Sequence, residues 1–227
     1  DKEGSTHEVS MPPVVVLAGG KGTRLPPEEQ DKPKCLVEIA GKPILAWQLE
    51  NLRRQGFTDI RLALGYKAET VISWLGASGN SDVKYAVENE PLGTGGAIKN
   101  LAGDITTPFV ALNVDDLADI SYASLVRHGM NGKYSVVAGM QFEDARTFGT
   151  LVCDEHKRIC EFKEKAPEAA PGVVSIGHYY LQPEIFTDMP VKFSIEYDLF
   201  PKIAAQKKLV VCQHAGTYWL PTNTAEQ

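Results

Sequence analysis

Val14-Val15-Val16-Leu17-Ala18-Gly19-Gly20-Lys21-Gly22-Thr23-Arg24-Leu25 sets an apolar run directly against a glycine-rich turn that ends in a cation. The consecutive apolar residues predict a strand buried on both faces. Gly19, Gly20 and Gly22 let bare backbone N–H groups approach an anion, and Lys21 and Arg24 add positive charge beside them. This is how a phosphate cradle is built, and a nucleoside triphosphate is the expected guest. Taken alone, an ordinary strand-to-helix turn that uses glycine is the alternative. The segment lacks the Gly-Lys-Ser/Thr ending of a Walker A loop and is not a Gly-x-Gly-x-x-Gly dinucleotide fingerprint. The residues downstream must decide.

Outward from this turn, strand and helix signals alternate. A strand is expected over 14–18, and the polar stretch 26–34 reads as a loop. Ile44, Trp47, Leu49 and Leu52 then recur at roughly helical spacing up to Gly56, a helix-ending residue. A strand over 60–64, a helix over 68–75, a strand over 83–87, a helix over 95–101 and a strand over 109–113 follow. Strands separated by helices imply a parallel sheet covered on both faces. The second half changes character, with strand-like runs at 135–142, 149–153, 159–163 and 173–181 that suggest an antiparallel extension carrying a substrate pocket. A helix around 196–206 and two short strands close the chain. The whole reads as one α/β domain over 11–227, in halves of about 11–132 and 133–227. The polar, patternless residues 1–10 ahead of Met11 read as a remnant of cloning.

A chain of 227 residues with net charge −6 and no basic stripe offers nucleic acid no electrostatic footprint. Cys35, Cys153, Cys160 and Cys212 form no Cys-x-x-Cys pair, which argues against a zinc site and fits reduced thiols in a cytoplasmic protein. Cys35 beside Lys34 reads as a packed thiol. With no apolar stretch of about eighteen residues, no membrane span is expected.

Leu17-Ala18-Gly19-Gly20-x-Gly22-Thr23-Arg24-Leu25, Pro33-Lys34, Gly41-Lys42-Pro43 and Pro91-Leu92-Gly93-Thr94-Gly95-Gly96-Ala97 occur in that order. The chain resembles the sugar-1-phosphate nucleotidylyltransferases from about residue 13 to its end. Its Glu90-x-Leu92-Gly93-Thr94 wording is most similar to that of heptose-1-phosphate and mannose-1-phosphate guanylyltransferases. The resemblance implies a Rossmann-like mixed, mostly parallel sheet with helices on both faces and a small antiparallel sugar-binding extension. It implies transfer of a nucleoside monophosphate from a triphosphate, with GTP expected, to a sugar 1-phosphate of heptose or mannose type, by Mg²⁺-assisted in-line displacement that releases pyrophosphate. The same reaction with UTP, CTP or dTTP, and a catalytically weakened regulatory protein that binds nucleotide sugars, remain as alternatives.

The chemistry asks for backbone amides, several cations and a carboxylate for Mg²⁺, because the nucleophile arrives already ionised. The cradle from Leu17 and Ala18 through Gly19, Gly20, Lys21, Gly22 and Thr23 supplies amides. Arg24 suits the β- and γ-phosphates through its planar fork, a surface salt bridge being the alternative. By resemblance Lys34 bridges the reacting phosphates, although its spacing alone would leave it solvated. Asp115 ends an apolar strand, where ligands bind in open α/β sheets, and matches the family's metal-binding aspartate. Val114 replaces a usual glycine, and Asp116 and Asp119 read as caps rather than metal ligands. Glu90, Leu92, Gly93, Thr94 and Gly95 match the loop placed against base and sugar; a helix-starting glycine turn is the alternative.

For the sugar phosphate, the resemblance assigns Glu164 and Lys165, which could equally be a solvated charged face. It also assigns Ser175, where asparagine is common, with Gly177, and Glu196 in a segment that could simply start a helix capped by Ser194. In Trp219-Leu220-Pro221-Thr222-Asn223, Pro221 occupies the place of an aspartate that in the family holds the metal together with the first, and Asn223 the place of a glycine. Trp47, Trp74 and Trp219 are candidates for a homodimer surface, with ordinary packing as the alternative.

Overall fold

The computed structural model describes residues 10–20, 31–129, 133–214 and 218–221. Lys21, Gly22, Thr23, Arg24 and Asn223, to which the sequence assigns roles, therefore lie outside the described residues. The chain runs through β1 (Val14–Leu17), a small hairpin of β2 (Glu38–Ile39) and β3 (Lys42–Pro43), α1 (Ile44–Arg54), β4 (Ile60–Leu64), α2 (Ala68–Ala77), β5 (Lys84–Val87) and α3 (Gly93–Leu101). It continues with β6 (Phe109–Asn113), β7 (Asp116–Ala118), α4 (Tyr122–Gly129), β8 (Ser135–Phe142), β9 (Thr150–Cys153), β10 (Ile159–Lys163) and β11 (Gly172–Leu181). The last elements are α5 (Phe200–Ala205), β12 (Leu209–Gln213) and β13 (Trp219–Pro221).

The main sheet follows the order β10-β9-β11-β6-β1-β4-β5, with β8 added on β11 and β12 on β8. Strands β5, β4, β1 and β6 are parallel. Strand β11 turns antiparallel against β6 and carries β8 and β9, also antiparallel. The expected parallel core and antiparallel extension are both present. Strand β12 returns to the sheet parallel to β8.

The unbroken apolar run of β1 follows from its place in the middle. Val14 and Val16 face a core with Ile44, Leu49 and Leu52 of α1, Val71 of α2 and Leu125 of α4. Val15 faces the opposite core with Ile98 of α3 and Phe200 and Ile203 of α5. A strand with helices on both faces has no position where a polar residue is free of cost. Helix α1 ends as its glycine predicts: Gly56 takes φ +94°. The Gly56 N–H reaches Arg53 C=O at 3.0 Å and the Phe57 N–H reaches Leu52 C=O at 3.1 Å, the paired bonds of a Schellman ending. Trp74 and Trp219 pack against the core, while Trp47 is exposed and donates its indole N–H to Ile39 C=O. No helix among the described residues is long and apolar enough to cross a membrane.

From β1 the chain lays β4 and then β5 to one side, and afterwards crosses back to place β6 on the other. The order reverses between β1 and β6, and in open α/β sheets the crevice beyond the carboxyl ends of such a strand pair is where ligands bind. Leu62, fully buried between Val16 of β1 and Tyr85 of β5, anchors this half. Leu62→Ala is expected to cost about 2–5 kcal/mol. Urea unfolding checks this through a lowered midpoint at unchanged m-value.

Candidate functional site

At the point of reversal β1 and β6 run in register, with Leu17 opposite Asn113. One residue further on, the Val114 N–H donates to Leu17 C=O at 3.0 Å, so the two chains leave the sheet together. Between them opens a cleft of about 720 Å³, within the range of small-ligand sites. Gly19 and Gly20 line it after β1, Gly65 and Tyr66 after β4, Glu88, Pro91, Gly93 and Thr94 around the start of α3, and Asn113 and Asp115 after β6.

Glycine allows the ends of β1 and β4 to close together, since a Cβ on Gly65 would sit 3.1 Å from Gly19 O. Lys34 begins a single 3-10 turn behind Pro33, and its N–H bonds Gly20 C=O at 3.3 Å. Its side chain crosses Gly20 and makes an ion pair with Asp115, joining the lysine that the resemblance assigns to the reacting phosphates to the aspartate that it assigns to the metal. Cys35 next to it is buried, and burial pushes its thiol up to about 12, which makes it a packing residue.

The turn bearing the carboxylates is clamped from two sides. Gln48, buried on α1, donates Nε2 to Val114 C=O at 2.9 Å and to Asp116 C=O at 3.1 Å. His178 of β11 lies 2.7 Å from the same Asp116 C=O through Nε2 and 2.9 Å from the Tyr122 hydroxyl through Nδ1. A carbonyl can only accept, so Nε2 carries the proton and Nδ1 accepts from Tyr122. Burial lowers the His178 pKa to about 4, which keeps the ring neutral in this role.

Asp116 lies on β7 and caps no helix; Ser121 takes that place at α4, accepting from the Ser124 N–H, and Asp119 is exposed. The Asp116 carboxylate accepts from Asn113 Nδ2 at 3.0 Å and from Trp219 Nε1 at 3.2 Å. Burial first, then the charge of Asp115, raise its pKa to about 7. Gly177 faces it with φ +77°, and a Cβ there would fall 2.0 Å from Asp116 Oδ2.

Several sequence assignments change meaning. Leu17, Gly93 and Thr94 line the cleft, and Ala18 is buried behind it. Glu88 stands on the wall and accepts from the Leu92 N–H at 3.3 Å, whereas Glu90 is exposed. Leu92 braces that loop, its carbonyl accepting from Phe193 N–H. Gly95 is buried, donates its N–H to Phe193 C=O at 3.0 Å, and has no room for a Cβ, which would lie 2.1 Å from the Phe193 ring. Glu196 accepts from the Thr94 hydroxyl at 2.7 Å and so stands beside the cleft wall. Ser194 also caps its turn as expected, accepting from Tyr197 N–H. Ser175 and Gly177 sit in an irregular stretch of β11, with a 3.5 Å contact between the Gly177 N–H and the Ser175 hydroxyl. Glu164 and Lys165 are exposed beyond the end of the edge strand β10 and do not join the cleft wall.

Gln48 and His178 were not singled out from sequence. The available signal was a polar residue on the apolar face of α1 and another inside the apolar run of β11. Gly177→Ala is expected to lose about 1–3 kcal/mol from backbone strain, plus a further loss from the clash with Asp116. Gly41→Ala, at φ +78° in open space, carries the strain alone. Thermal unfolding of the two variants separates these contributions, with Gly177→Ala melting lower.

Residues 13–226 match the family model described as Nucleotidyl transferase. Over 214 residues the chain is 34% identical to the mannose-1-phosphate guanylyltransferase catalytic subunit beta of Drosophila pseudoobscura pseudoobscura, covering 91% of this chain and 57% of that protein. Over 217 residues it is 32% identical to the mannose-1-phosphate guanyltransferase of Saccharomyces cerevisiae, covering 91% and 60%. The chain thus spans less than two thirds of the length of these curated relatives. HddC from Yersinia pseudotuberculosis complexed with GMP-PN superposes with TM-score 0.84 at 34% identity, over 95% of this chain and 96% of that one. A putative glucose-1-phosphate thymidylyltransferase from Bacillus anthracis, with TM-score 0.75 at 20% identity over 94% and 91%, shares the fold. The chain belongs to the nucleotidyl transferase family.

Proposed function

We propose that this domain transfers a guanylyl group from GTP to a sugar 1-phosphate of the mannose or heptose type and releases pyrophosphate. The observation that carries the reading is the Lys34–Asp115 pair on the wall of the cleft between β1 and β6. Relatives named for guanylyl transfer to mannose 1-phosphate, and the similarity to HddC in complex with GMP-PN, support the choice of base and sugar.

An oxygen of the sugar phosphate bonds to the α-phosphorus while the bond to the pyrophosphate oxygen breaks, its electron pair leaving with pyrophosphate. No proton needs to be removed, so catalysis consists of alignment and charge screening. Lys34 exchanges its bond to Asp115 for phosphate oxygens and offsets the repulsion between the two anionic reactants. Gly19 and Gly20 bring backbone close to the triphosphate, and Arg24 is assigned to its β- and γ-phosphates. Thr94 is assigned to the nucleotide, and Glu196 and Ser175 to the sugar phosphate.

The donor chemistry fits the Mg²⁺ that the family implies. Asp115 presents a hard carboxylate oxygen on the cleft wall, and such an ion would keep phosphate and water among its ligands. When bound it would stabilise the charge that develops on the leaving pyrophosphate.

Pyrophosphate release over GTP, UTP, CTP and dTTP, each paired with mannose 1-phosphate and a heptose 1-phosphate, is expected to be highest with GTP. Tight nucleotide binding with no turnover for any pair would overturn the reading. Asp115→Asn is expected to lower kcat by about 10²–10³-fold, the size of losing one transition-state electrostatic contact. Near-normal turnover would place the metal elsewhere.

A further inference from the structure

The carboxylate expected at position 221 is missing from this chain, and the strand pairing shows what stands across from it. Strand β13 lies antiparallel on β7, with Trp219 opposite Ala118, Leu220 opposite Leu117 and Pro221 opposite Asp116. Directly opposed residues of an antiparallel pair project to one face, with Cβ atoms about 4.5–5.5 Å apart. The side chain of Asp116 therefore enters the same space that a side chain at 221 would enter.

The surroundings of Asp116 hold its carboxylate in that space. Asn113, which lines the cleft, binds one oxygen, and Trp219, two residues before Pro221, binds the other. Gly177 leaves room for it by having no Cβ. An ionised carboxylate offers about four accepting positions, of which Asn113 and Trp219 take one on each oxygen. Gln48 and His178 fix the backbone carbonyl of the same residue.

We infer that Asp116 supplies the second carboxylate of the metal site, transferred from β13 to the neighbouring β7. The inference rests on the nucleotidyl-transfer reading. Both protein carboxylates then come from one clamped turn, Asp115 from its cleft side and Asp116 from the side facing β13, and β13 contributes Trp219 as a positioning residue in place of a ligand.

The probe is Mn²⁺, titrated into the full chain and followed by electron paramagnetic resonance, with and without a non-hydrolysable GTP analogue. Asp116→Asn, which keeps the shape of the side chain, is expected to weaken Mn²⁺ binding by roughly 10–100-fold, at least the loss usual when a metal ligand's outer partner is removed. Adding Pro221→Asp to that variant is expected to restore affinity to within a few-fold of the parent chain. Asp116→Ser serves as the second variant should the asparagine form fail to fold, with the same expected loss and the same rescue. Undiminished Mn²⁺ affinity in a folded Asp116 variant, or a double variant as weak as the single one, overturns the inference. If the parent chain turns over GTP while its Asp116 variants bind Mn²⁺ normally, only the inference fails. If the variants lose Mn²⁺ but the parent chain turns over no substrate pair, the metal site stands and the proposed function fails.

Discussion

Everything at the site depends on how the turn after β6 is held. Two acidic residues in succession repel each other, and a turn carrying them at the edge of a core would drift toward solvent unless its backbone were fixed. Here Val114 is tied to β1 through Leu17, and the carbonyls of Val114 and Asp116 are held by Gln48 and His178. Buried polar groups of this kind are costly when unpaired. The neutral state of His178, enforced by burial, makes it a donor without adding a positive charge beside the carboxylates. The Lys34 ammonium then supplies that charge through its ion pair with Asp115.

A second lock joins the first half of the chain to the second. Phe193 C=O accepts from the N–H groups of Gly95 and Gly96 at the start of α3, at 3.0 and 3.2 Å. The Thr94 hydroxyl donates to Glu196 and accepts from Ile195 N–H. The first turn of α3 thereby satisfies its own unpaired donors with the segment that carries Glu196. Its glycines are small because the chain of the other half lies against them. The start of α3 and the segment 193–196 are thus positioned by one contact.

Much of this was legible in the sequence where local chemistry decides the outcome. The apolar run of β1 revealed a central strand because no face of it meets water, and Gly56 revealed the end of α1 because that ending needs positive φ. Where partners distant in sequence decide, the reading failed. Asp116 looks like a helix cap beside Asp115, but it becomes a strand residue through pairing with β13, more than a hundred residues later. Gly95 looks like a site of ligand approach, and its packing under Phe193 depends on a segment about a hundred residues away. Helix α4 is only eight residues long, too short for its periodicity to stand out. The exchange at Pro221 was visible as a loss, whereas the residue standing opposite it, Asp116, became visible only from the register of two short strands.

The most direct test is a crystal structure of the full chain soaked with GDP-mannose and Mg²⁺. The diphosphate is expected over Gly19 and Gly20, with Lys34 turned from Asp115 to the phosphates and the sugar directed toward Thr94 and Glu196. The nucleotide bound instead in the second cleft, lined by Lys133, Gln182 and Lys202, with the Lys34–Asp115 pair intact, would contradict the assignment of the site.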